Sequence, residues 1–435
     1  MKRILAVIVC LILCTAALCG CARPAQEPSA DEPGLKPDTD YNGVTSLVDN
    51  AGAQTPPDLK ECTDFAAAQQ FGLKLFSETL QMGNENPVIS PASAYLCLAM
   101  VMNGAGSETL AEFEEVMGGD LETVNSLAYT LSNKVTDIDG NTILEIANSL
   151  WADDKRVYVE EDFLKRVSDY YDGEIYSADM DSKEALDAIN SWVNEKTNGL
   201  IPTLHEDTYP DDTKIVLLNT IYLKAKWQKL FEGYSTRDKI FTKADDKELT
   251  VPFMQMYFET QQYINTDGAE GVVLPYDDNQ TVFFALRPTD GSTARDFAKS
   301  MDSESLDTYL TSAEEKTVNL SMPKFNLAYE LYLTDALTAM GLESAFDTGA
   351  DLSAMGRGIE NPLQLSHVFQ KVKIEVNEEG TEAAAVTEAV AADGATAVME
   401  DPAELHLDSP FVYGVMDTET GVPLFIGLLE DPSAE

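Results

Sequence analysis

The chain has 435 residues, 44% of them hydrophobic and 9% aromatic, with 75 acidic against 29 basic side chains and a formal net charge of −46. That length predicts one large or two ordinary globular domains. So acidic a surface repels polyanions, and no long basic patch interrupts it, which excludes nucleic acid and heparin as expected partners.

Lys2 and Arg3 precede an apolar run over residues 4–18 that is too short to span a bilayer and suits a signal peptide. It ends Leu18-Cys19-Gly20-Cys21, which resembles the bacterial lipoprotein signal. That resemblance implies removal of residues 1–20, lipidation of Cys21, and a membrane-anchored chain on the extracellular side of a bacterial cell. Cys19 is unusual in that motif and leaves plain secretion open. Residues 21–60 are rich in Pro, Asp, Glu, Gly and Ala, and predict a disordered spacer. Beyond the signal only Cys62 and Cys97 remain, too few for a disulfide framework. Cys97, among Leu96, Leu98 and Met100, predicts a buried free thiol.

From residue 61 the chain reads as folded domain. Phe65, Ala68, Phe71 and Leu75 have helical spacing. Ser90-Pro91 opens a helix, with Ser as cap and Pro at the first position, and Gly104 and Gly106 follow its end. Residues 143–151 have strand character. Residues 190–196 close a helix that stops at Asn198-Gly199, and residues 214–226 are strongly β-prone. Residues 318–320, 371–376 and 411–416 predict further strands, the last forming a hairpin with residues 424–428. Helices dominate the first half and strands the second, an α+β pattern without internal repeats.

Residues 375–398 read EVNEEGTEAAAVTEAVAADGATAV. Taken in steps of two, one phase is Thr381, Ala383, Ala385, Thr387, Ala389 and Ala391, all small and uncharged. The other phase contains Glu382, Ala384, Val386 and Glu388. As a strand, the segment could enter a packed sheet with its small phase inward and its carboxylates outward. Ala and Glu are also strong helix formers, so composition alone equally allows a surface helix or a linker.

Six ordered motifs resemble the serpin family: residues 86–93 (NPVISPAS) going on to 103–109 (NGAGSET), 190–201 (NSWVNEKTNGLI), 218–227 (LNTIYLKAKW), 322–325 (MPKF), the stretch just described, and residues 411–427. The resemblance covers residues 61–432. It implies a monomeric fold of three sheets and eight or nine helices with an exposed reactive loop over about residues 378–407. It further implies an inhibitor of serine proteases that is cut in the loop, retains the protease as an acyl-enzyme, and inserts the cut loop into its large sheet. By the same resemblance the hinge is Glu378, Glu379, Gly380, Thr381, Glu382, Ala383, Ala384 and Ala385. Glu378, Lys324 and Trp227 meet at the breach, while Ser90, Asn219 and Gln370 form the shutter. Gln370 stands where the family often has a histidine.

Counted from the hinge, the family's spacing puts the cut near Gly394-Ala395, or as far on as Thr396; counted back from Pro410 it points to Met399-Glu400. The hinge register is favoured because the inserted strand must match a sheet already built. The Ala, Thr, Val and Met side chains of residues 393–399 suit an elastase-like or subtilisin-like pocket.

Catalysis by the chain itself has little support. His205, His367 and His406 are its three histidines, and no Gly-x-Ser-x-Gly or His-Glu-x-x-His motif occurs. No metal or cofactor is expected. The alternative to inhibition is a serpin-fold binding or surface-display protein whose loop never inserts.

Overall fold

The structure, a computed structural model, describes residues 41–48, 59–136, 142–171, 173–359, 362–381 and 401–434. It opens with β1 (Val44–Ser46) and α1 (Ala66–Gln81), which buries Ala68, Phe71 and Leu75 along one face. β2 (Val88–Ile89) leads into α2 (Pro91–Met102). The Ser90 hydroxyl accepts the Ser93 N–H at 3.4 Å and Pro91 takes the first helical position, where its missing N–H costs no hydrogen bond. Every residue of α2 is buried, so this helix is apolar all round and sits at the centre of the core.

Next come α3 (Ser107–Met117), α4 (Leu121–Thr136), β3 (Ile143–Asp153), β4 (Val157–Val159), α5 (Glu161–Tyr171), β5 (Glu174–Ala178), α6 (Lys183–Lys196) and β6 (Ile215–Lys226). Then follow β7 (Arg237–Thr242), β8 (Glu248–Asn265), β9 (Ala269–Pro275), β10 (Thr281–Pro288), α7 (Ala294–Ser300), α8 (Ser303–Thr311), β11 (Glu314–Pro323), β12 (Phe325–Tyr332) and α9 (Thr334–Met340). The chain closes with β13 (Gly356–Gly358), β14 (His367–Asn377), β15 (Gly380–Thr381), β16 (Ala403–His406) and the hairpin β17 (Phe411–Asp417) to β18 (Pro423–Leu429).

Among the described residues there are nine α-helices and three sheets, an α+β fold. A seven-stranded sheet runs β1-β5-β3-β6-β15-β14-β12. A nine-stranded sheet runs β16-β11-β8-β9-β10-β17-β18-β2 with β7 beside β8, and β4 pairs with β13. α2 packs against β3 and β6 of the first sheet and against β18 of the second, tying the two together.

Two features correct the sequence expectations. Within the segment expected to be wholly disordered spacer, Val44–Ser46 adds an antiparallel edge strand on β5, and Tyr41 packs edge-on against Tyr176 at 5.7 Å. Aromatic contact and backbone pairing supply there what the local composition lacks. The separation of helices from strands is also weaker than expected, because β3, β4 and β5 lie in the first half of the chain. Cys97 is buried and free, its thiol pushed up to about 12 by burial, and Cys62 is free and half-buried.

Candidate functional site

β6 and β14 are parallel neighbours, paired directly from Val216 with His367 to Thr220 with Lys371. At their other ends they part. After Asn377 the chain turns back and enters between them as β15, with Gly380 opposite both Asn377 and Lys226, and Thr381 opposite both Val376 and Ala225. The sheet is therefore zipped at one end and wedged open at the other by two residues.

The turn before β15 is bonded on every side. The Trp227 backbone N–H donates to the Glu379 carbonyl at 2.9 Å and the Phe231 N–H to the Glu378 carbonyl at 3.0 Å. The Trp227 indole Nε1 donates to the Asn377 carbonyl at 2.9 Å. Gly380 has φ +151°, and a Cβ there would lie 1.9 Å from the Ala225 carbonyl oxygen, so only glycine fits. Thr381 is buried, its hydroxyl 2.6 Å from that of Tyr276. Tyr276 stacks on Trp227 with ring centroids 4.7 Å apart and planes 9° from parallel. Burial pushes the Tyr276 phenol well above its usual range, so it is neutral and free to donate or accept.

Lys324, just past β11, reaches Glu378 at 2.7 Å, and the Thr236 hydroxyl donates to the same carboxylate at 2.7 Å. Burial works to raise the Glu378 pKa, but the hydrogen bonds from Lys324 and Thr236 outweigh it and hold the carboxyl below its usual range. The three residues assigned to the breach by resemblance are thus within one cluster. Tyr276 and Thr236 complete it, and sequence reasoning missed both. Tyr276 stands in the unpatterned Pro275-Tyr276-Asp277, and nothing in one sequence marks it.

The second cluster lies where β6 and β14 pair directly. Gln370 stands opposite Asn219, and its Nε2 donates to Asn219 Oδ1 at 2.7 Å and to the Ser90 carbonyl at 3.1 Å. The Ser90 N–H donates to Gln370 Oε1 at 2.9 Å. Asn219 Nδ2 in turn donates to the Ser93 carbonyl at 2.7 Å and to Asn148 Oδ1 at 2.5 Å. An amide both donates and accepts, so Gln370 closes this buried network without a titrating group.

β16 pairs parallel to β11, with Leu405 and Leu407 buried. Hinge residues Glu382, Ala383, Ala384 and Ala385, the scissile candidates Gly394, Ala395, Thr396, Met399 and Glu400, and the lipidation candidate Cys21 lie outside the described residues.

His205 packs against Tyr209 and Phe369, and both His205 and His367 touch the Tyr332 ring. Burial lowers the pKa of both histidines. His406 is exposed, 3.6 Å from Glu404. Asp153, Asp179 and Asp181 converge closely enough to suggest a cation site. Arg156 already bridges Asp153 and Asp181, and Lys155 neutralises Asp179 at 2.5 Å, so the cluster is a set of ion pairs.

The family model described as "Serpin (serine protease inhibitor)" matches residues 66–432. An uncharacterized serpin-like protein of Thermococcus kodakarensis is 30% identical over 94% of this chain and 93% of its own. The leukocyte elastase inhibitor of Sus scrofa is 31% identical over 84% of this chain and 99% of its own. The crystal structure of a thermophilic serpin, tengpin, in its native state superposes with a TM-score of 0.83 at 30% identity, covering 89% of this chain and 99% of that one; its latent state gives 0.72. Serpins are generally inhibitors of serine proteases. On the ordered motifs, the fold and the family match together, the chain belongs to the serpin family.

Proposed function

We propose that this serpin is a suicide inhibitor of elastase-like or subtilisin-like serine proteases. The observation that carries the reading is β15: Gly380 and Thr381, the start of the reactive loop, already occupy the gap between β6 and β14. A strand continuing from Thr381 along that gap needs small, uncharged inward side chains, and Ala383, Ala385, Thr387, Ala389 and Ala391 supply them in sequence.

In this reading the protease serine attacks the scissile carbonyl, the peptide bond breaks, and the new amine leaves with a proton. The loop, held to the protease by an ester, is then free at its cut end and zips in behind Thr381. The strand addition completes backbone pairing that the wedged sheet leaves open. The transported protease is distorted before water hydrolyses the ester. The small residues of 393–399 support an elastase-like or subtilisin-like target, as does likeness to a leukocyte elastase inhibitor. A lipid on Cys21 would place this inhibitor on the outer side of a bacterial membrane.

The test is incubation of the purified chain with elastase and with subtilisin, denaturing electrophoresis, and mass spectrometry of the released C-terminal peptide. The expected result is a denaturant-stable complex and a cut within residues 393–400. Cleavage without complex, and without any rise in melting temperature, selects the non-inhibitory alternative.

A further inference from the structure

Four large apolar side chains are left in solvent around one end of the nine-stranded sheet: Tyr234 is 75% exposed, Tyr257 53%, Phe258 53% and Leu230 47%. Their three segments are bonded together. The Tyr257 hydroxyl donates to Gln255 Oε1 at 2.5 Å, and Gln255 Nε2 donates to the carbonyl of Ser235, the neighbour of Tyr234. Lys229, beside Leu230, donates to the Thr260 carbonyl at 2.9 Å, two residues past Phe258. The patch also touches both ends of the reactive loop. Thr236 bonds Glu378 at the start of the loop, while the Phe258 N–H donates to Asn319, whose amide donates to Glu404 on β16 near its other end.

Phe258 has φ +57°, in the left-handed region. The other non-glycine residues with positive φ among those described are Asn, Ser or Asp, whose short polar side chains tolerate it. A phenylalanine is strained there, and half its surface remains in water, so burial returns little against the strain. Folding alone gives this position no reason to be aromatic.

We infer that Tyr234, Tyr257, Phe258 and Leu230 form a docking face for the body of the protease whose active site holds the reactive loop. The inference rests on the inhibitory reading above, and its occupant follows from continuity: a protease seated on residues 382–400 lies over the end of the fold from which both ends of that segment emerge. Rigid aromatic side chains serve as anchors at low entropic cost. The partner chemistry is an apolar patch beside the protease cleft, on an enzyme of net positive charge drawn in by a chain of net −46. Such a face supplies selectivity that the small loop side chains cannot, since one methylene more or less in a pocket discriminates weakly.

The experiment measures the second-order rate constant of covalent complex formation with elastase and with subtilisin for the wild type, Phe258→Gly and Tyr234→Ser. Glycine relieves the positive φ, and Tyr234 is three-quarters exposed, so both variants fold. For the protease that the wild type traps faster, each variant slows association roughly ten- to thirtyfold. Stoichiometry of inhibition and melting temperature stay at the wild-type value or above. Unchanged association rates alongside efficient wild-type trapping overturn the docking face and leave the inhibitory reading intact. Wild-type self-association in sedimentation that both variants abolish also overturns it, by assigning the patch to a second copy. A wild type that traps neither protease removes both.

Discussion

The hydroxyls of Tyr276 and Thr381 stand 2.6 Å apart in a space closed to solvent. Tyr276 arrives from the end of β9 and meets Trp227 through an isolated bridge and a stacked ring, so its hydroxyl is fixed in place independently of the loop. The first loop side chain in the sheet is therefore held by a preformed partner. Tyr276→Phe removes that partner and leaves the Thr381 hydroxyl buried without one. A loss of about 1 kcal/mol follows, and it falls on the two-residue strand rather than on the core. Amide exchange at Gly380 and Thr381 should quicken about fivefold, with little change in exchange along β3. Equal quickening in both places would show that the tyrosine supports the whole sheet instead.

Thr381→Arg places a cation where the chain now has a buried, uncharged side chain. An unpaired charge in that position costs several kcal/mol, enough to keep the cut loop out of the sheet. The variant should be cleaved by elastase at the wild-type rate yet give no denaturant-stable band. Continued covalent trapping would show that insertion does not begin at this residue.

Glu378 carries the acid sensitivity of the wedged end. Its carboxyl is held below its ordinary 4.5 because Lys324 and Thr236 outweigh burial. A depressed folded pKa contributes stability above the unfolded value, and that stability is lost as pH falls through the folded one. Below about pH 4.5 the wild type should lose melting temperature more steeply than Glu378→Gln, which has no proton to take up. Parallel curves for the two proteins would remove this ion pair from the acid response.

His205 and His367 govern a different window. Burial lowers both from the ordinary 6.5, so the fold favours their neutral forms. As pH falls below about 6.5 the unfolded chain binds protons that the native one refuses, and stability declines. His205→Phe retains an aromatic ring against Tyr209 and Phe369 and should flatten the fall in melting temperature between pH 7.5 and 5.5. A slope unchanged by the substitution would assign the effect elsewhere.

Gln370→Ala strips the buried network of its centre. Asn219 Oδ1 and the backbone N–H and carbonyl of Ser90 each lose their Gln370 partner. The expected destabilisation is roughly 2–4 kcal/mol. Gln370→Glu should cost at least as much, since a carboxylate cannot donate to Asn219 and the Ser90 carbonyl. Denaturant titration of the two variants settles the order.

Much of this architecture was legible before the structure. Ser90 and Pro91 announced the start of α2 through local chemistry alone. Lys324 with Glu378, and Gln370 with Asn219, were placed by family resemblance and stand in contact. The missed residues share one property: their roles depend on contacts distant in the chain. Tyr276 meets Thr381 across 105 positions and Thr236 meets Glu378 across 142, and neither has a local pattern that records its partner. Val44–Ser46 was missed for the complementary reason, because an edge strand three residues long draws its order from the sheet it joins.

Under the proposed inhibitory mechanism, the direct pairing of Val216–Thr220 with His367–Lys371 makes the sheet a timing device. Those five rungs, with Gln370 and Asn219 among them, must separate in order before a full-length strand can pass. In that mechanism water would meanwhile work on the ester tying the protease to the loop. Trapping would succeed only when the zip opened faster than hydrolysis, so each added rung would shift the outcome from capture toward release. Residues far from the proposed cut would thereby decide what fraction of encounters end in a dead enzyme.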